Sequence, residues 1–205
     1  MNIDEKKLFF VREFPDEGII KPQSHFENEN KLYLEIGSGK GEFIAQVSVR
    51  YPQINFLGIE LKVRRITTIC KKLDPSANSN VRIIQHYVNK ELIERFEPES
   101  LDRIYIFHPD PWPKKRHHKK RLIQADFLES IRRVLKINGE LYISTDFEEY
   151  AVWIIDHFKA NPNYQSFFEN GYSREAYPEH IETYFEVKHK KLGAPPYYMK
   201  YVKIR

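Results

Sequence analysis

Asp110 heads the most unusual stretch of this chain, DPWPKKRHHKKR. A rigid Pro-Trp-Pro follows it, and then come eight residues, 114–121, that are all Lys, Arg or His. Like charges packed this tightly repel one another and gain nothing by burial, so the run is expected to face a polyanion. The net charge is only +4, and Lys114, Lys115, Arg116, Lys119, Lys120 and Arg121 contribute six positive charges, which leaves −2 for the rest of the chain. A basic patch on a near-neutral body reads as a docking surface for phosphate. The competing reading is a solvated charge run or a localisation signal.

A second chemical feature lies upstream. LEIGSGKGEF sets Glu35, Gly37, Gly39 and Gly41 between an apolar run and a helical pattern. Glycines at a strand-to-helix turn let backbone come close to a ligand. The spacing is not the G-x-G-x-x-G of dinucleotide sites, and a plain turn would also account for it. Glu60 ends the next apolar run, where an acid commonly binds ribose hydroxyls. Together these residues suit a nucleoside without a pyrophosphate. S-adenosylmethionine is such a ligand, and its sulfonium would favour nearby carboxylates.

These residues need elements to position them. Strand patterns cover 32–36, 54–60, 81–87, 101–107 and 139–145, and helical spacing fills the intervals between them, including a short helix near 90–96. Strands alternating with helices predict a parallel sheet covered on both faces. Beyond Pro162 the pattern turns to strands around turns, which predicts a closing antiparallel hairpin at the sheet edge. Residues 1–30 read as a polar, partly irregular N-terminal extension, and 31–205 as one domain. Open α/β sheets bind ligands beyond the carboxyl ends of their strands. Glu35, Gly37, Glu60, Tyr87, Asp110 and Asp146 all fall at such ends, so they should converge on one rim.

Composition narrows the class. No apolar run reaches the roughly 18 residues of a membrane span. The single cysteine, Cys70, excludes an internal disulfide and a multi-Cys metal site, and its apolar helical setting makes it a core residue. His117 and His118 lack metal-ligand spacing, so no metal is expected. A reduced, cytoplasmic protein, monomeric or homodimeric, fits these features.

The motifs LEIGSGKGEF, FLGIEL, PDPWPKKRHHKKRL, STD and TYFEVKHKKLG strongly resemble the bacterial tRNA (guanine-N7)-methyltransferases over about residues 31–205. The resemblance implies a Rossmann-like class I methyltransferase fold, with a seven-stranded, mostly parallel sheet. It implies S-adenosylmethionine as cofactor, tRNA as partner, and methylation of guanosine 46 in the variable loop. By motif, Glu35, Gly37, Gly39, Glu60, Tyr87 and Asp110 resemble cofactor-binding residues, and Asp110 also the catalytic one. Lys114, Asp146, Thr183, Tyr184, Phe185 and Glu186 resemble contacts to the guanosine. Arg116, His117, His118, Lys119, Lys120 and Arg121 match the RNA-contacting loop. The chain departs from the family at Tyr87, where an Asp usually accepts from the adenine amino group. The Tyr87 hydroxyl, Asn89 or a backbone carbonyl is left to do so.

Alternatives stay open at this stage. The chain could methylate another RNA, or be an idle RNA-binding subunit that keeps the fold. Asp146 could cap a helix, as Asp-Phe-Glu-Glu resembles a capping box. Glu35 could pair with Lys40, Glu186 could be an ordinary strand-face acid, and Trp112 could pack in the core or offer a stacking platform.

Overall fold

The computed structural model describes residues 1–177, 180–182, 186–187, 193 and 195–205. The predicted strands appear as β2 (Leu32–Ile36), β3 (Asn55–Glu60), β4 (Val81–Gln85), β5 (Leu101–Phe107) and β6 (Leu135–Thr145). Every residue of β2 and β3 is buried, as expected where helices cover both faces of a parallel sheet. Helices α2 (Glu42–Arg50), α3 (Val63–Lys72), α4 (Lys90–Glu94), α5 (Ala125–Val134) and α6 (Glu148–Lys159) follow these five strands in turn. The strand predicted over 81–87 ends at Gln85, whose partner is Glu60, the last residue of β3. With no partner left, Tyr87 leaves the ladder and is exposed.

Among the described residues, the sheet has eight strands rather than the expected seven, in the order β1-β4-β3-β2-β5-β6-β8-β7. The extra strand is β1 (Val11–Arg12), which pairs parallel to β4. It comes from the N-terminal thirty residues, which are built into the body. Helix α1 (Ile3–Phe10) starts at Asn2, whose side chain caps it in a capping box with Glu5, and Phe10, Ile20 and Phe26 are buried in the core. At the other edge, β8 (Tyr197–Lys203) runs antiparallel to both β6 and β7 (Tyr164–Ser166), giving the expected antiparallel pair.

Two apolar layers sandwich the sheet. One packs α1, α2 and α3 through Phe10, Phe43, Ile66 and Ile69, and Cys70 lies in it. The other packs α4, α5 and α6 through Leu92, Phe127, Ile131 and Tyr150. Strand order reverses at β2, which pairs with β3 on one side and β5 on the other. Crossover helices leave opposite faces there, so a crevice opens beyond the strand ends. Among the described residues, no helix is long and apolar enough to cross a membrane.

Candidate active site

At that reversal lies a cleft of about 740 Å³. Ile36 and Gly37 line it from the end of β2, Tyr87 and Asn89 from beyond β4, and His108 and Asp110 from beyond β5. Trp112, Lys119, Lys120 and Arg121 line it from the basic segment. The glycine turn, the Asp110 carboxylate and the cationic run therefore share one mouth.

The glycine turn divides its tasks. Gly37 has φ +78° and a Cβ there would meet open space, so the backbone at the end of β2 faces the cleft. Gly41 also has a positive φ, and a Cβ there would lie 2.9 Å from the Ile69 side chain. That position therefore needs glycine for close packing of α2 on α3. Glu60 holds the turn in place, its carboxylate accepting from Gly39 N and from Lys62 N, both at 2.9 Å. Arg65 Nη1 lies 3.5 Å from the same carboxylate and lines the cleft. Glu60 itself is buried. Its acid makes scaffold contacts that strand-end reasoning did not anticipate.

Glu35 is buried at the end of β2, and burial pushes its carboxyl up to about 8. The charges of Glu42 and Glu60 add to the rise, and the Ser38 hydroxyl beside it opposes it. Even so, Glu35 Oε2 and Ser38 Oγ both lack a partner of normal hydrogen-bond geometry. A buried carboxyl oxygen with no donor is costly unless a ligand supplies one.

The basic run splits into two groups. Residues 115–120 form a 3-10 turn in which Lys115, Arg116, Lys119 and Lys120 are exposed, as is Lys114 before it. Arg121 corrects the expectation of a phosphate-facing residue, because its side chain is fully buried. Nε donates to Pro111 O and Nη2 to Glu149 Oε1, both at 2.9 Å. The guanidinium also lies over the rings of Tyr150 and Trp153. His118 turns inward too, with Nε2 3.2 Å from Glu149 and its ring against Trp153. Arg121 thus ties down the carbonyl next to Asp110. Trp112 is half-buried with φ +43°, outside the core, with Lys120 Nζ 4.9 Å from its ring centroid and His117 at its edge.

Asp146 is not a helix cap. The N-cap of α6 is Phe147, which makes no side-chain cap bond. Asp146 instead faces His108, whose Nδ1 lies 3.5 Å from Asp146 Oδ1. His108 was not singled out in the sequence. Its signal was its place one residue past β5, the strand end that also carries Asp110. Glu186 is fully buried and accepts from His180 Nε2 at 2.9 Å. Thr183, Tyr184 and Phe185 lie outside the described residues. The Asn89 oxygen accepts from Leu92 N at 2.9 Å as the cap of α4, which leaves it one lone pair.

Comparison with known proteins places this geometry. A family profile described as "Putative methyltransferase" matches residues 29–199. A tRNA (guanine-N(7)-)-methyltransferase of Marinobacter nauticus is 34% identical over 179 residues, covering 87% of this chain and 75% of the relative. One of Nitrosomonas europaea is 40% identical over 160 residues, covering 78% of this chain and 70% of the relative. The chain belongs to the tRNA (guanine-N(7)-)-methyltransferase family. The fold has wider relatives. An rRNA methylase from Streptococcus thermophilus superposes with a TM-score of 0.57 at 10% identity, covering 87% of this chain and 89% of that one.

Proposed function

We propose that this chain methylates N7 of a guanosine in tRNA, with S-adenosylmethionine as donor and guanosine 46 of the variable loop as target. The observation that carries the reading is that Gly37, Asp110, Lys119 and Lys120 line one and the same cleft. The residues present fit the cofactor on two counts. Glu35 offers a buried carboxyl oxygen, Oε2, with no partner of normal hydrogen-bond geometry, suited to a cationic ligand. Gly37 leaves open space at the strand end, where a side chain would otherwise intrude. Glu35 and the glycine turn would hold the donor, with Glu60 bracing the turn.

When bound, S-adenosylmethionine supplies a methyl group on a sulfonium centre, open to in-line displacement. Guanine N7 carries an in-plane lone pair and no proton at neutral pH, so the protein need not supply a general base. Its tasks are alignment and negative charge beside a purine that becomes cationic. Asp110 is exposed at the cleft, on a loop that Arg121 ties down from beneath. Its carboxylate is suited to accept from guanine N1–H or the amino group and to stabilise the developing charge. Asp146 is suited to a second such contact. N7 lies in the deep major groove of A-form RNA, which side chains enter poorly, so the target base should leave its stack first.

The test is methyl transfer from labelled donor to bulk tRNA and to ribosomal RNA, followed by nucleoside analysis and mapping of the modified position. 7-Methylguanosine at position 46 of tRNA is the expected product. Label in ribosomal RNA alone would move the substrate to another RNA, and donor binding without transfer would make the chain an idle subunit.

A further inference from the structure

The loop that carries Asp110 is held by two residues with left-handed backbone, neither of them glycine. His108 has φ +48° and Trp112 has φ +43°, each two residues from Asp110. L-residues rarely adopt this conformation, and it persists where surrounding contacts impose it. For His108 those contacts are visible. Its backbone N–H donates to Ser144 O at 2.8 Å, which extends the β5–β6 ladder. Its ring is nearly buried and lies between two carboxylates. Nδ1 is 3.5 Å from Asp146 Oδ1, within hydrogen-bond geometry. Nε2 is 3.5 Å from Glu186 Oε1, which is ion-pair distance without hydrogen-bond alignment. Glu186 is held in turn by His180.

We infer that His108 is a positioning residue for the target guanosine: its imidazole bridges Asp146 and Glu186 and fixes both carboxylates relative to the Asp110 loop. The inference rests on the proposed reaction for the identity of the base, and on geometry for the bridge. Guanine presents N1–H and an amino group, both donors, and an ionised carboxylate, which only accepts, matches them. Two carboxylates brought near one site repel, and one of them tends to take up a proton and become a donor. A cationic ring between them removes that conflict. Among the described residues, the charged groups facing the ring include Asp146 from the end of β6 and Glu186 from the C-terminal segment, with His180 behind Glu186. Burial works against charge on His108, but these two carboxylates outweigh it and hold the imidazole above its ordinary value. One side chain thereby connects the end of β5, the end of β6 and the C-terminal segment.

Two measurements test this. The first needs no substrate: imidazole titration by NMR in wild type and in Asp146→Asn, with His108 assigned from the signal lost in His108→Asn. The His108 ring should titrate above the ordinary histidine value in wild type and lower in Asp146→Asn. Equal titration in both proteins would overturn the bridge. The second is kinetic. His108→Asn tolerates a left-handed backbone but cannot carry the charge. It should raise KM for tRNA about tenfold, the factor equivalent to roughly 1.4 kcal/mol, and leave the dissociation constant for S-adenosylmethionine unchanged. His108→Gly relieves the backbone and removes the ring, and it should show the same split. An unchanged KM for tRNA in a folded His108→Asn would refute the positioning role. A wild type that methylates no tRNA would instead defeat the proposed reaction, and the titration would still decide the bridge.

Discussion

Replacing Glu35 by Gln should make this protein more stable and less able to bind its cofactor, and the stability gain should depend on pH. Burial raises the Glu35 carboxyl from 4.5 to about 8 in the folded chain. Below about pH 4.5 the group is protonated in both folded and unfolded states, and its ionisation costs folding nothing. As pH rises, the unfolded chain ionises first and the folded state loses ground, at roughly 1.4 kcal/mol per pH unit. The loss comes to about 3 kcal/mol at pH 7 and about 4 kcal/mol at pH 8, and levels off near about 5 kcal/mol above that, once the folded group has ionised. Gln has nearly the same shape and does not ionise, so Glu35→Gln escapes this loss. In a domain of this size about 1 kcal/mol moves Tm by roughly 2–4 °C. The variant should therefore melt about 6–12 °C above wild type at pH 7 and near it at pH 4.5. Thermal unfolding of both proteins from pH 4.5 to 8.5 measures the difference, and calorimetric titration with S-adenosylmethionine measures the cost. If Glu35 meets the cationic donor as a carboxylate, binding to wild type releases a proton, and affinity should rise with pH up to about 8. A Tm difference that does not change with pH would refute the argument, as would full cofactor affinity in Glu35→Gln.

Three further outcomes follow from the site. Asp110→Asn should lower turnover on the order of 100-fold, the scale for loss of one group stabilising transition-state charge, with folding intact because the side chain is exposed. Single-turnover methyl transfer measures it, and full turnover would remove Asp110 from the chemistry. Replacing Lys115, Lys119 and Lys120 together by Ala should flatten the slope of log affinity for tRNA against log salt by roughly 2–3, at about 0.7–0.9 per phosphate contact. Filter binding across salt concentrations reads this, and an unchanged slope would put the RNA surface elsewhere. Arg121→Ala should leave the salt slope alone but destabilise the fold by roughly 2–3 kcal/mol, since a buried guanidinium bonded to Pro111 O and Glu149 is removed. Denaturant unfolding beside the same binding assay separates Arg121 from its exposed neighbours.

Much of this molecule was legible in its sequence because the forces behind it are local. LYLEI and NFLGIE are strands buried throughout because mostly apolar runs suit a sheet covered on both faces. The glycines of LEIGSGKGEF mark a turn with positive φ because backbone sterics act within one residue. The shared rim follows from parallel alternation alone, since every strand then ends on the same side. Other outcomes depended on partners remote in the chain. Arg121 and Lys120 are adjacent and carry the same charge, yet only Arg121 is buried, because Glu149, Tyr150 and Trp153 on α6 reach it across the fold. Asp146 resembled a helix cap, but the end of β5 set His108 beside it, 38 residues away in sequence. The eighth strand could not be seen in a polar N-terminal segment, because two residues become a strand only when β4 offers them a free edge. Charge, periodicity and turn chemistry determined what each segment could be. Which cation faces the solvent, which acid is paired and which edge is extended were settled only when distant segments came within hydrogen-bonding distance.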